Sequence, residues 1–77
     1  MTTDFVLGAL STEMEYATIQ RWLVAEGDDV TAGAPIVEVE ADKASYELEA
    51  PVSGMLAEIV AEEGDEVKVG ALLAVID

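Results

Sequence analysis

Seventy-seven residues make one domain, spanning 1–77 and near the lower limit at which a single apolar core holds a fold. With no cysteine and no histidine, neither disulfides nor the usual zinc ligand sets can supplement that core. The net charge of −14, with three cations against seventeen acids, argues against nucleic acid and anionic membranes as partners, because both need clustered Lys and Arg.

The apolar share of 52% and mean hydropathy of +0.34 describe a globular chain rather than an acidic disordered tail. At the start, Met-Thr-Thr-Asp-Phe lacks the basic and apolar stretches of a signal peptide, and no apolar run approaches the roughly 18 residues of a membrane span. An intracellular protein is expected.

Residues 12–26 are locally ambiguous. Good helix formers and the Thr12/Glu15 capping box favour a helix. An internal repeat favours a strand instead. Trp-Leu-Val-Ala-Glu-Gly-Asp-Asp-Val, from Trp22, recurs as Ile-Val-Ala-Glu-Glu-Gly-Asp-Glu-Val, from Ile59, at an offset of 37 residues. Glu26, Gly27, Asp28, Val30, Gly33 and Ala34 fall on Glu63, Gly64, Asp65, Val67, Gly70 and Ala71. The partner of residues 22–25 reads as a strand, so a strand is expected over 16–24.

In each copy Glu-Gly-Asp supplies a turn, and the next glycine follows six residues after the first, leaving room for only a very short strand. Two copies are too few for a solenoid and imply a pseudo-symmetric unit whose halves bury each other's apolar faces. The spacing of turns predicts an all-β sandwich or small barrel.

Residues 37–50 read as a hairpin. Val37, Val39 and Ala41 alternate with Glu38 and Glu40, and Tyr46, Leu48 and Ala50 alternate with Ser45, Glu47 and Glu49. If Asp42 and Lys43 form the turn, position i pairs with 85 minus i. That register sets Val39 opposite Tyr46 and Val37 opposite Leu48, with Glu38 facing Glu47 at a small cost. Lys43 then projects into solvent among acids.

Three uses of Lys43 follow. It is an exposed counter-charge, or a Schiff-base nucleophile, or an attachment point for a group delivered by another enzyme. Neighbouring carboxylates favour the ammonium form, and an exposed tip offers no desolvation, which speaks against the nucleophile. Acidic runs such as Glu62–Glu63 with Asp65–Glu66 lack the spacing of a calcium-binding loop.

Several motifs coincide: Glu-Ala-Asp42-Lys43-Ala44, Gly27 sixteen residues before the lysine, Gly54 eleven after it in Ala-Pro-Val-Ser-Gly, and the repeated Glu-Gly-Asp turns. On these the chain resembles the biotinyl/lipoyl attachment domains over about Phe5 to Asp77. More specifically, it resembles the lipoyl domain of the dihydrolipoamide acyltransferase component of 2-oxo acid dehydrogenase complexes.

The resemblance implies a flattened barrel of two four-stranded antiparallel sheets with pseudo-twofold symmetry, the modified lysine on a hairpin at one end and both termini at the other. It implies lipoate in amide linkage to Lys43, since biotinyl members typically set the lysine between methionines and lipoyl members have Asp-Lys-Ala. Asp42 and Ala44 would present the lysine to a lipoate-attaching enzyme, and Gly27 and Gly54 would serve as turn and positioning residues.

The implied role is a non-catalytic swinging-arm carrier. The lipoyl group takes an acyl group at a thiamine-dependent decarboxylase, delivers it to coenzyme A at the acyltransferase core, and is reoxidised by a flavin-dependent dihydrolipoamide dehydrogenase. The loop Gly8 to Glu15, with Leu10, Ser11, Thr12, Glu13, Met14 and Glu15, would help the decarboxylase recognise the domain. Thr-Glu-Met-Glu-Tyr-Ala-Thr-Ile leans towards pyruvate- or acetoin-type members. The isolated domain is expected to be a monomer.

The chain departs from the family's pattern where Asp-Phe-Val-Leu-Gly lacks the common proline before Leu-Gly, so the edge of the first strand is expected to differ. The initiating methionine favours an N-terminal position in a larger acyltransferase or a free-standing carrier. A biotinyl carrier and an acidic interaction module are the alternative readings.

Overall fold

Residues 2–8, 15–41 and 44–77 are described by the computed structural model. Among them the ordered elements are all strands: β1 (Thr3–Val6), β2 (Tyr16–Trp22), β3 (Asp29–Val30), β4 (Pro35–Ala41), β5 (Ala44–Glu49), β6 (Gly54–Ile59), β7 (Glu66–Lys68) and β8 (Leu72–Ile76). They form two four-stranded antiparallel sheets, ordered β1-β8-β6-β3 and β5-β4-β2-β7.

The strand expected over residues 16–24 forms from Tyr16 to Trp22, two residues shorter, and the packing explains why helix propensity loses. Ala17 and Ile19 are buried while Gln20 and Arg21 are exposed, and β4 and β7 offer ladders on either side. Burial of a period-two face together with two paired edges outweighs a preference of a few tenths of a kcal/mol per residue. Thr12 to Met14 lie outside the described residues.

Strand lengths follow from the turns. Gly27 and Gly64 take φ of 93° and 91°, and Gly33 and Gly70 take 88° and 93°, a region that costs a side-chain-bearing residue about 1–2 kcal/mol. These paired turns confine β3 to two residues and β7 to three.

The 37-residue repeat is a pseudo-twofold axis in three dimensions. Gly27 N–H donates to the Leu56 carbonyl at 2.7 Å, and Gly64 N–H donates to that of Ile19 at 2.8 Å. Leu56 N–H returns to Asp28, as Ile19 N–H does to Asp65. Even the irregularities repeat: the register shift between Ile19 and Arg21 in β2 recurs between Leu56 and Glu58 in β6. β3 of the first copy joins the sheet of the second, and β7 the sheet of the first, so neither half could bury its apolar face alone.

The core fills the space between the sheets. Ile36, Val37, Val39, Leu56, Leu73 and Ala74 are fully enclosed, and no polar or charged side chain among the described residues is buried. At two corners the sheets are tied through turns, by Gly33 N–H to the Ala50 carbonyl and Gly70 N–H to that of Leu7. These turn hydrogen bonds link the edge strands of the two sheets, β3 to β5 and β7 to β1. β1, at the edge of its sheet, shifts register between Phe5 and Val6, in the segment where the family's common proline is absent.

Candidate functional site

The hairpin of β4 and β5 has the expected register. Val37 faces Leu48, Glu38 faces Glu47, Val39 faces Tyr46, Glu40 faces Ser45, and the last described pair is Ala41 with Ala44. Val37, Val39, Ala41 and Leu48 are buried, which pins the register, because a one-residue slip would turn this set to solvent. Ala44 and Ser45 are exposed, as is Glu40. Asp42 and Lys43, which connect Ala41 to Ala44 in the sequence, lie outside the described residues.

The flank of the hairpin is acidic but not wholly uncompensated. Arg21 on β2 reaches Glu38 with Nη2 at 3.3 Å from Oε2, beside the Glu38/Glu47 pair. Gln20 donates from Nε2 to Glu40 at 3.2 Å. Both contacts are exposed, so they orient the carboxylates more than they stabilise the fold.

The glycines expected to position the site have separate duties. Gly27 sits in the turn between β2 and β3, at positive φ with open space around it. Gly54 serves no turn of that kind: it opens β6 opposite Val30, and a Cβ there would stand 2.6 Å from the Asp77 backbone oxygen and 3.1 Å from Ile76 Cγ2. It is a close-approach glycine, a requirement invisible until β8 is laid beside β6.

Of the proposed recognition loop, Leu10, Ser11, Thr12, Glu13 and Met14 lie outside the described residues. Gly8 and Glu15 flank them and are exposed, and the Glu15 carbonyl accepts the Val69 N–H at 3.0 Å.

Residue reading alone missed a brace across the pseudo-twofold. Glu26 Oε2 accepts the Ile59 N–H at 2.7 Å, and Glu63 Oε2 accepts that of Trp22 at 3.1 Å. The Trp22 indole Nε1 donates to the Ala61 carbonyl at 2.8 Å. The repeat carried the signal, since it sets Trp22 on Ile59 and Glu26 on Glu63.

A two-sheet fold with a pinned hairpin ending on Ala41 and Ala44 is the architecture that the sequence resemblance implied. Comparison with known proteins agrees: the model of the family described as biotin-requiring enzyme, the biotinyl/lipoyl attachment domains, matches residues 3–76. The chain belongs to this family.

Among its relatives, a dihydrolipoyllysine-residue acetyltransferase component of the pyruvate dehydrogenase complex of Rhizobium meliloti is 47% identical over 77 residues, covering 99% of this chain and 17% of that protein. The solution structure of the lipoyl domain of the 2-oxoglutarate dehydrogenase complex of Azotobacter vinelandii superimposes with a TM-score of 0.78 at 32% identity, covering 96% of this chain and 94% of that one. The crystal structure of Kluyveromyces lactis urea carboxylase superimposes with a TM-score of 0.84 at 27% identity, over all of this chain and 6% of that one. The chain spans 19% and 17% of the length of the first curated relatives it matches. As a biotinyl/lipoyl domain it is a carrier that bears a covalent group and is not itself a catalyst.

Proposed function

We propose that the domain carries lipoate on Lys43 and shuttles acyl groups and reducing equivalents between the active sites of a 2-oxo acid dehydrogenase complex, of the pyruvate or acetoin type. The observation that carries this reading is the β4–β5 register. With Ala41 facing Ala44, the connection between the strands is the dipeptide Asp42-Lys43, within the Asp-Lys-Ala pattern of lipoyl members.

The described residues around that connection fit an attached arm. Ala44 and Ser45 are small and exposed, and leave access for a lipoate-attaching enzyme. When bound, lipoate supplies the acyl-accepting and redox chemistry through its dithiolane ring. The chain supplies a fixed base, and tethering raises the arm's effective concentration at each active site. The partners on this reading are the thiamine-dependent decarboxylase, the acyltransferase core and dihydrolipoamide dehydrogenase.

Intact mass spectrometry after coexpression with a lipoate-attaching enzyme, in medium containing lipoate, is the direct test. One added lipoyl group is expected, absent in Lys43→Arg. An unmodified chain, under conditions that fully modify a known lipoyl domain, overturns the proposal. Since the urea carboxylase likeness shows that the fold is not confined to lipoyl domains, biotin and a biotin-attaching enzyme form the second arm of the experiment, and biotinylation would favour that alternative. Reductive acylation by pyruvate-, acetoin- and 2-oxoglutarate-specific decarboxylases then tests the complex type.

A further inference from the structure

Away from the hairpin, the pseudo-twofold brings the two Glu-Gly-Asp turns together around an open groove of about 650 Å³. Its floor is Trp22, Val24 and Ile59, half-buried and packed on the core, and its rim carries Glu26, Glu62 and Glu63. None of its lining residues belongs to β4 or β5. Trp22 is held in place by the hydrogen bond from its Nε1 to Ala61, and the Glu26 and Glu63 carboxylates are held by Oε2 on the opposite half's backbone. The groove is thus a preorganised combination of one aromatic ring, aliphatic floor and three carboxylates.

Among the described residues no cation lines it. Arg21, next to Trp22, turns to Glu38 on β4, and Lys68 lies 5.9 Å from the centre of the Tyr16 ring. An aromatic surface beneath uncompensated carboxylates complements a flat cation with an apolar stem, which stacks on the ring and donates to carboxylates together. A guanidinium meets both demands, whereas an ammonium is a compact, strongly hydrated charge.

We propose that this groove docks an arginine-bearing basic segment of a partner protein, with the guanidinium over Trp22 and between the carboxylates of Glu62 and Glu63. The site is separate from the lysine hairpin and holds whichever group Lys43 bears.

Trp22 is the chain's one tryptophan and so reports directly on the groove. The blocked peptide acetyl-Gly-Leu-Arg-Gly-Arg-Gly-amide is titrated into the unmodified domain at low salt, following tryptophan fluorescence and backbone amide shifts. A saturable change is expected, with shifts centred on Trp22, Ile59 and residues 61–63, weakening as salt is raised. The lysine counterpart should bind several-fold more weakly and the glutamate counterpart should not bind. Glu62→Gln/Glu63→Gln keeps a side-chain oxygen for the Trp22 N–H but removes two charges, and should weaken binding roughly tenfold. Its unchanged amide spectrum away from the groove would show that the fold is intact. Absence of saturation, equal binding of the lysine peptide, shifts centred on the hairpin, or undiminished binding by the folded double variant overturns the proposal.

Discussion

Gly54→Ala isolates a close approach of backbone to backbone. The added methyl would lie 2.6 Å from the Asp77 oxygen and 3.1 Å from Ile76 Cγ2. The first neighbour is backbone, and that oxygen accepts the Met55 N–H at 3.0 Å while Asp77 N–H donates to Met55 at 2.8 Å. To make room, the end of β8 must move off β6 and strain this reciprocal pair. Overpacking of this kind costs about 1–3 kcal/mol. At roughly 4–8 °C per kcal/mol for a domain of this size, 2 kcal/mol lowers Tm by about 8–16 °C. The total stability expected for this length is about 4–12 kcal/mol, so the variant still folds.

Gly27→Ala is the matched control: nothing lies within 4 Å of its Cβ, and its cost is that of φ +93° alone, about 1–2 kcal/mol. Thermal melts give the magnitudes and amide hydrogen exchange separates the causes. Gly54→Ala should selectively lose protection at Met55 and Asp77, and Gly27→Ala should not. A Gly54→Ala Tm within about 2 °C of the parent, with those amides still protected, would refute the reasoning.

Other expectations concern the core, the turns and the flank of the hairpin. Leu73→Ala, at a fully enclosed position, should cost about 2–5 kcal/mol in urea unfolding, enough to consume much of the domain's stability. Asp28 and Asp65 each accept, on Oδ2 at 2.9 Å, the N–H three residues back, so Asp28→Ala and Asp65→Ala should each cost about 0.5–1.5 kcal/mol. The two losses should agree within about 0.5 kcal/mol and add in the double variant, or the pseudo-twofold does not extend to energetics. Arg21→Ala removes a contact whose arginine is 63% exposed, and should change stability by less than about 0.5 kcal/mol at moderate salt.

The legible features were those that repeat or alternate. The hairpin register follows from Val37, Val39 and Leu48 having to share a face, and the structure pairs them as 85 minus i requires. The brief strands follow from the six-residue spacing of glycines that sit at positive φ. Illegible features depend on which distant segments meet. Gly54 looks like any loop glycine until the end of β8 lies against it. Arg21 looks like an idle surface cation until β2 pairs with β4 and sets it opposite Glu38. Trp22 looks like core, yet only the meeting of two turns 37 residues apart makes it the floor of a groove. Lys43 was singled out by its acidic neighbours and by motif, signals that are local in the sequence.

The pseudo-twofold also gives a physical reason why one hairpin differs from its counterpart. β1 and β8 stand to their sheet as β5 and β4 do to theirs, and the pair Thr3/Ile76 corresponds to Tyr46/Val39. β4 and β5 are joined in the sequence by Asp42 and Lys43, whereas β1 and β8 are the first and the last strand of the described residues. Of these two corresponding pairs, β4 and β5 are consecutive in the sequence, and the residues that join them include the lysine. The β4–β5 hairpin is braced by a ladder from Pro35/Glu49 to Ala41/Ala44, with β2 pairing along the other side of β4. This bracing accounts for the tolerance of Glu38 opposite Glu47: the buried faces of Val37, Val39 and Leu48 fix the register by several kcal/mol, against a repulsion of a few tenths that Arg21 partly offsets.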